Sequence, residues 1–511
     1  MSLTAADLEH IISRDENNAS TLVPRRELRR MLEALGACEF SARRGGPLAK
    51  LCAAGADYGS RELERAAGSD LIGRMLPKAR TSLRRQLQKS LERITRPCFD
   101  LEWKSFELAM ASLGFAPANA ALTEQMFLRD RPNHRLFLLF QKFPVLADLW
   151  CLRIHQWRDH VVQVLKRARQ DHIALSRLDA RKPINGTIKD VRLGLSDPHH
   201  GGQSVTLIEF DDGHRVVYKP RPGTSEAAWF SFLTWINRNG FRPRLRVPWI
   251  LPRKGYSWME YVEAMPCQNK AAVRRFYERI GGLMAATYLM KAVDCHRQNL
   301  IAAGEQPVLV DSDALWHVSR LTKMQSLEDV LYRTGFLPNS KPLSLQSRSS
   351  VLGRAAAGPH LPTIKGKPVF AAPYTSDIVN GFRKAWSCIV GTKKRRAEFL
   401  RHVHKVRAQR RRWIYRATEG YGAILEGSFQ PALLRSQAAR DQFIADSCLA
   451  RAPSRAVGRG EIRALRELDL PYFLRRTNHP MPADESSPPS ELTEAIRRSL
   501  NAGQDLLLKN G

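Results

Sequence analysis

The stretch Met290–His317, MKAVDCHRQNLIAAGEQPVLVDSDALWH, constrains this chain more than any other. Asp294, His296, Asn299, Asp311 and Asp313 sit here among apolar residues. Leu300–Ala302 and Val308–Val310 read as two short strands joined by a turn around Gly304–Pro307. A hairpin there sets the acids before it beside the acids after it. Residues 271–293, just upstream, read as a helix with Ile280, Leu283, Met284 and Tyr288 on one side.

Upstream of these elements the texture changes twice. Residues 1–175 read as helical. After Pro144, which suits a first helical turn, the residues Leu146, Trp150, Ile154, Trp157, Val161 and Val164 recur at steps of three and four. That spacing is a core face and carries no chemistry. Near residue 180 strands begin. SVTLIEFDDGHRVVYKPRP contains two β-rich runs around Asp211-Asp212-Gly213, with Thr206, Ile208 and Phe210 alternating on one face. The second run ends in Lys219, and the loop GLSDPHHGGQ precedes the first. YSWMEYVEAMPC reads as a further strand and connector. Beyond His317 come a helical piece, a long polar loop over 335–375, and helices over 376–447. The division this implies is a helical part (1–175), a strand-rich lobe (176–266) and a larger lobe (267–511).

Composition narrows the class. With 43% hydrophobic and 26% charged residues, and no run approaching the ~18 apolar residues of a membrane span, the chain reads as a cytoplasmic protein without a membrane span. Eight scattered cysteines form no CxxC pair, so they read as reduced thiols, with no zinc expected. The net charge of +31 favours polyanionic partners. Nucleic acid is disfavoured, because no zinc finger, RRM signature or stacking set accompanies that charge.

In order, the chain presents a glycine-containing loop, a hairpin, a strand-borne Lys, a helix, Asp-x-His-x-x-Asn, a second hairpin and Asp-x-Asp. This is the logic of phosphoryl transfer from ATP. Lys219 would hold phosphates and Asp294 would handle the acceptor hydroxyl. Asn299 and Asp311, twelve residues apart across a tight hairpin, would share Mg2+, a hard cation that prefers oxygen. Neither HRD nor DFG occurs in this stretch, so it is no ordinary protein kinase.

With those residues in place, RFYERIGGLMAATYLMKAVDCHRQNLIAAGEQPVLVDSDALWH resembles the dehydratase domain of class II lanthipeptide synthetases, the LanM type. GLSDPHHGGQSV, RVVYKPRP, HLPTIKGKPV, ELDLPYF and FLLFQKFPVLADLW are similar to further landmarks of that family, so the likeness spans roughly 90–500. It implies an α+β, kinase-like (lipid-kinase-like) two-lobed dehydratase domain with an added N-terminal helical subdomain. It also implies a two-step reaction with ATP and Mg2+. Ser and Thr of a ribosomal precursor peptide with a leader are phosphorylated, and the phosphate is then eliminated to give dehydroalanine or dehydrobutyrine. Residue by residue, Asp294, His296 and Asn299 match the catalytic loop and Asp311 the magnesium ligand. Asp313 stands where the family usually has Glu. Lys219 matches the phosphate-binding Lys, Asp197 and His199 match the Asp-x-His of the early loop, and Arg412 and Thr418 match the pair implicated in elimination. Cys295 stands at an apolar position of the family and reads as a buried filler. The zinc cyclase domain of a full synthetase, with its Cys and Cys-His ligands, has no counterpart after Cys448. The chain is therefore expected to be a stand-alone dehydratase, a split half or a fragment, with a separate cyclase as partner.

KKRRAEFLRHVHKVRAQRRR, with ten Lys or Arg and one Glu, would be cationic nearly all round as a helix. It would draw in an acidic leader, assist phosphate release near Arg412, or form a solvated face. Two alternatives to the dehydratase reading stand beside it: a phosphotransferase without elimination, and a degenerate kinase-like partner of a separate cyclase. Loss of function at Arg412 or Thr418 separates the first from the dehydratase.

Overall fold

The expected core face after Pro144 is present. α5 carries it, and the helices before it are α1 (Arg25–Gly36), α2 (Pro47–Gly73), α3 (Pro77–Ser112), α4 (Pro132–Lys142) and α5 itself (Pro144–Leu178). Leu146, Trp150, Ile154, Trp157, Val161 and Val164 of α5 are all buried. Trp150 donates its indole N–H to Thr95 of α3 at 2.8 Å, which satisfies the polar edge of a ring that is otherwise core. The computed structural model describes residues 11, 22–37, 45–114, 124, 126–128, 132–178, 184, 186–317, 327–337, 350–352, 358–476 and 491–508.

These residues group into two compact units. One holds Met1–Pro220 with Tyr415–Tyr472, the other Arg221–Ile414 with Phe473–Gly511. The sequence division into three parts, 1–175, 176–266 and 267–511, places its boundaries elsewhere. A contiguous reading does not register that a later segment returns to pack with the first 220 residues.

In the first unit, β1 (Ile188–Arg192), β2 (Thr206–Phe210) and β3 (Arg215–Lys219) form an antiparallel meander. The turn falls where Asp211-Asp212-Gly213 predicts it, with Gly213 at φ 91° and its N–H on the Phe210 carbonyl. Thr206, Ile208 and Phe210 are buried, but so is Leu207, so the strand is covered on both faces. Gln86 of α3 ties the helices to β1 through the Val191 carbonyl and the Leu193 N–H.

In the second unit, α6 (Thr224–Arg238) is followed by the hairpin β4 (Ile250–Pro252) and β5 (Ser257–Glu260). Then comes α7 (Lys270–Leu289), capped by Asn269, whose side chain accepts from the Ala272 N–H at 2.9 Å. β6 (Leu300–Ala303) and β7 (Gln306–Leu309) form the central hairpin, and α8 (Leu327–Thr334) follows. The expected loop over 335–375 contains a small hairpin, β8 (Thr363–Ile364) and β9 (Lys367–Pro368); residues 338–349 and 353–357 lie outside the described residues. α9 (Thr375–Val390) crosses α7 so closely that a Cβ on Gly281 would stand 1.9 Å from the Ile378 carbonyl oxygen, and one on Gly381 1.8 Å from that of Glu278. Two glycines at one crossing let the backbones touch, and the crossing fixes the helix that delivers Asp294.

The basic run is α10 (Lys393–Ala408). It is not cationic all round, because Phe399, Val403 and Val406 form a buried stripe. The all-helical expectation for 376–447 fails just after it. Arg411–Trp413 is a strand, β10, which pairs with a strand far downstream.

From Tyr415 the chain returns to the first unit with α11 (Thr418–Gly427), α12 (Gln437–Leu449) and α13 (Arg455–Arg466). Buried Arg440 donates to the carbonyls of Leu465 and Arg466 and so caps the C-terminus of α13. β11 (Phe473–Arg475), the partner of β10, and α14 (Leu492–Leu508) complete the second unit. Among the described residues no helix is long and apolar enough to cross a membrane.

Candidate active site

Asp294 is the centre of the second unit's polar cluster, and its position is built by backbone pairing. The segment after α7 runs beside the segment after β7. Val293 donates to the Ala314 carbonyl, Trp316 to that of Met290, and His317 to that of Lys291. Between them Asp294 adopts φ 67°, a left-handed conformation that Asp tolerates better than most residues but that still carries strain. Cys295 donates its N–H to the Thr334 carbonyl at 2.8 Å. The next residue, Gly335, comes so near that an added Cβ would lie 3.0 Å from the Cys295 carbonyl carbon. Cys295 is buried, and burial holds its thiol well above the usual range, in keeping with a filler.

The Asp294 carboxylate is held from two sides. Arg412 Nη1 donates to Oδ2 at 3.2 Å, and His296 Nε2 stands 3.3 Å from Oδ1. The Gln298 N–H donates to His296 Nδ1 at 3.3 Å. With Nδ1 accepting, the ring proton sits on Nε2, where it donates to Asp294. Asn299 donates Nδ2 to the Asp294 carbonyl at 2.8 Å, which turns its amide oxygen the other way.

Arg412 reaches Asp294 because of β10. Side chains alternate along a strand, so neighbouring arginines serve different ends. Arg411 is buried and donates to the Val406 carbonyl at the end of α10; burial first, then Arg407, lowers its pKa to about 10. Arg412 faces Asp294, and its N–H donates to the Asp313 carbonyl at 3.3 Å. Trp413 stacks on His317 at 4.2 Å and 21°, and the Ile414 N–H donates to His317 Nε2. Burial, then Arg333, lowers the His317 pKa to about 4, so the ring is a neutral acceptor.

The acids after the hairpin lie beside this group. Val310 donates to the Asn299 carbonyl at 2.8 Å, which places Asn299 next to the chain that bears Asp311. Arg221 joins the two carboxylates, with Nη2 2.7 Å from Asp311 Oδ1 and Nη1 3.4 Å from Asp313 Oδ2; its Nε lies 2.9 Å from Glu226 Oε1. One guanidinium thus contacts both carboxylates. Asp313 is 5% exposed, and burial, then Asp311, raises its pKa to about 6 against the opposing pull of Arg221 and Arg412. A carboxylate pair that needs a cation, with an amide oxygen alongside, suits a hard divalent ion such as Mg2+. Among the described residues no cluster of three or more His, Cys, Asp or Glu side chains is gathered as a preformed metal cage. Seven of the eight cysteines are described, and all seven are buried and unbridged.

Six of the ten residues singled out from the sequence therefore fall in the second unit: Asp294, His296, Asn299, Asp311, Asp313 and Arg412. The other four belong to the first. Lys219 ends β3 and is 3% exposed, so it is not a solvated edge charge. Thr418 opens α11 and is half-buried. Asp197 is exposed on its loop. His199 stands 2.7 Å through Nδ1 from the Leu470 carbonyl, which fixes the proton on Nδ1. That loop is clamped from a distant segment. Asp469 accepts the N–H groups of Gly201 and Gly202 at 2.5 and 2.8 Å, and Leu470 donates to the Pro198 carbonyl. α5 holds the clamp in turn, through Arg153 on the Leu468 carbonyl and Gln156 on that of Glu467.

The sequence reading missed Arg221, Glu226, His317 and Asp469. Arg221 lies two residues past Lys219 in KPRP, and Asp469 lies in ELDLPYF. Both are charges set among apolar or rigid neighbours, which is the one local signal they offer.

The chain belongs to the family described as "Domain of unknown function (DUF4135)", which matches residues 143–359 and 344–476, more than half of its length. This is the domain associated with LanM-type synthetases, in keeping with the likeness carried by the motifs. The chain is also 24% identical over 381 residues to the "Lacticin 481/lactococcin biosynthesis protein LcnDR2" of Lactococcus lactis subsp. lactis. That alignment covers 65% of this chain and 40% of the relative.

Proposed function

We propose that this chain is an ATP-dependent dehydratase of lanthipeptide biosynthesis, built as a kinase-like two-lobed domain with an added helical part. Its substrate is a ribosomal precursor peptide with a leader. The observation that carries this reading is the meeting of Arg412 and Asp294 at 3.2 Å. It joins a carboxylate suited to the first step and a guanidinium suited to the second.

In the first step Asp294 takes the proton of a Ser or Thr hydroxyl. The oxygen bonds to the γ-phosphorus of ATP, and the bond from that phosphorus to ADP breaks. His296, with Nε2 3.3 Å from Oδ1, keeps Asp294 oriented. Asp311, Asp313 and Asn299 would hold Mg2+, which would supply the positive charge that ATP phosphates require. In the second step a base removes the Cα proton. The freed electron pair forms the Cα=Cβ bond, and the Cβ–O bond breaks with its electrons on phosphate. Arg412 receives that developing charge. Phosphorylation must come first, because hydroxide is a poor leaving group and phosphate a good one. Lys219, Asp197, His199 and Thr418 enter this scheme by resemblance alone.

The test is mass spectrometry of a Ser- and Thr-bearing precursor after incubation with the protein, ATP and Mg2+. Loss of water masses supports the proposal. Added phosphate without water loss leaves a kinase only, and an unchanged peptide with ATP unconsumed overturns the reading.

A further inference from the structure

Resting on the assignment of Asp311 and Asp313 as cation ligands, we propose that Arg221 is a built-in counter-cation that a divalent metal must displace from them. Each edge of the guanidinium meets a carboxylate: Nη2 lies 2.7 Å from Asp311, Nη1 3.4 Å from Asp313, and Nε 2.9 Å from Glu226. The group is enclosed, since the side chains of Arg221, Asp313 and Glu226 are 15%, 7% and 2% exposed. Buried carboxylates are costly without a positive partner, and here the chain supplies its own.

Geometry makes that partner a competitor. Mg2+ sits about 2.0–2.1 Å from its oxygen ligands. A cation bound by Asp311 Oδ1 and Asp313 Oδ2 would take the two oxygens that Nη2 and Nη1 of Arg221 contact. The backbone offers little room for retreat, because Arg221 lies between Pro220 and Pro222, whose rings fix their φ. The exchange is therefore a side-chain swing, with Nε kept on Glu226 in the first turn of α6. Arg221 holds the acid pair together without metal and lowers the affinity for metal by the same contacts.

The probe is Mn2+, followed by the loss of its free-ion EPR signal as it binds the full chain. The proteins are the wild type, Arg221→Met and Arg221→Lys, each also melted with and without Mn2+. The Met variant is expected to bind Mn2+ about tenfold tighter or more, because charge-assisted contacts no longer oppose binding. It should also melt at lower temperature without metal and recover most of the difference with Mn2+. The Lys variant, which cannot span three carboxylates, should fall between. Equal or weaker Mn2+ binding by the Met variant, with the wild type binding normally, overturns the inference. If the Met variant shows no cooperative melt, the Lys variant decides, with tighter binding than wild type supporting the proposal and equal or weaker binding ending it. If no protein binds Mn2+, the metal assignment fails and the inference falls with it.

Discussion

Two loops carry an Asp and a His two residues apart, and the structure uses them in opposite ways. In the first unit His199 is turned to the Leu470 carbonyl, and the loop's glycine N–H groups are held by Asp469. The polar atoms there fix backbone. In the second unit His296 is turned to the Asp294 carboxylate, which also meets Arg412. Charged side chains there face one another, while a left-handed residue occurs in both loops, His200 at φ 50° and Asp294 at φ 67°. One loop is a clamped scaffold and the other a charged constellation, although the two sequences, SDPHHGG and VDCHRQN, look alike.

The comparison makes predictions of decreasing size. Asp294→Asn should lower phosphorylation of the precursor by about 10²–10⁴-fold, the range for a lost proton acceptor, with little change in melting temperature. ATP consumption and peptide mass would show it. Arg412→Lys should slow elimination by about 10²-fold while phosphorylation continues, because Lys keeps the charge but not the fork. By contrast, Asp469→Ala should act on stability. Losing the acceptor for two N–H groups costs about 2–4 kcal/mol in urea unfolding. A larger effect on the chemical step than on stability would erase the distinction between the two loops.

A pH prediction comes from the first unit. His160 is buried with Nε2 3.0 Å from Thr206 Oγ1, and burial lowers its pKa from 6.5 to about 4. Its neutral form is favoured by folding, so the unfolded chain binds the extra proton between those values. Stability from His160 is present above about pH 6.5 and is lost as pH falls toward 4, by about 3 kcal/mol in all. His160→Gln should flatten that limb of the stability–pH curve. Smallest of all, Cys295→Ala should cost about 1 kcal/mol by removing a buried sulfur. It should leave dehydration intact, as measured by melting and by peptide mass.

Local pattern accounts for what was legible. The apolar spacing after Pro144, the Asp-Asp-Gly turn and the hairpin between Asn299 and Asp311 all depend on neighbours within a few residues. The Asp-x-His-x-x-Asn cluster was legible for the same reason. What stayed hidden depends on distant partners. Asp469 meets Gly201 across 268 residues, and Arg221 meets Asp311 across 90. β10 is a three-residue strand that exists because Phe473–Arg475 pairs with it, so helix-forming neighbours concealed it. The same pairing decides which arginine of QRRRW faces Asp294, a choice that composition cannot make.

The central claim is that Asp294 and Arg412 serve successive steps in one constellation. The most direct measurement is the mass distribution of the precursor peptide over time with the Arg412→Lys protein, ATP and Mg2+. The account predicts that phosphorylated peptide accumulates and dehydrated peptide lags far behind the wild type. Dehydration at the wild-type rate with no phosphorylated species building up would contradict it.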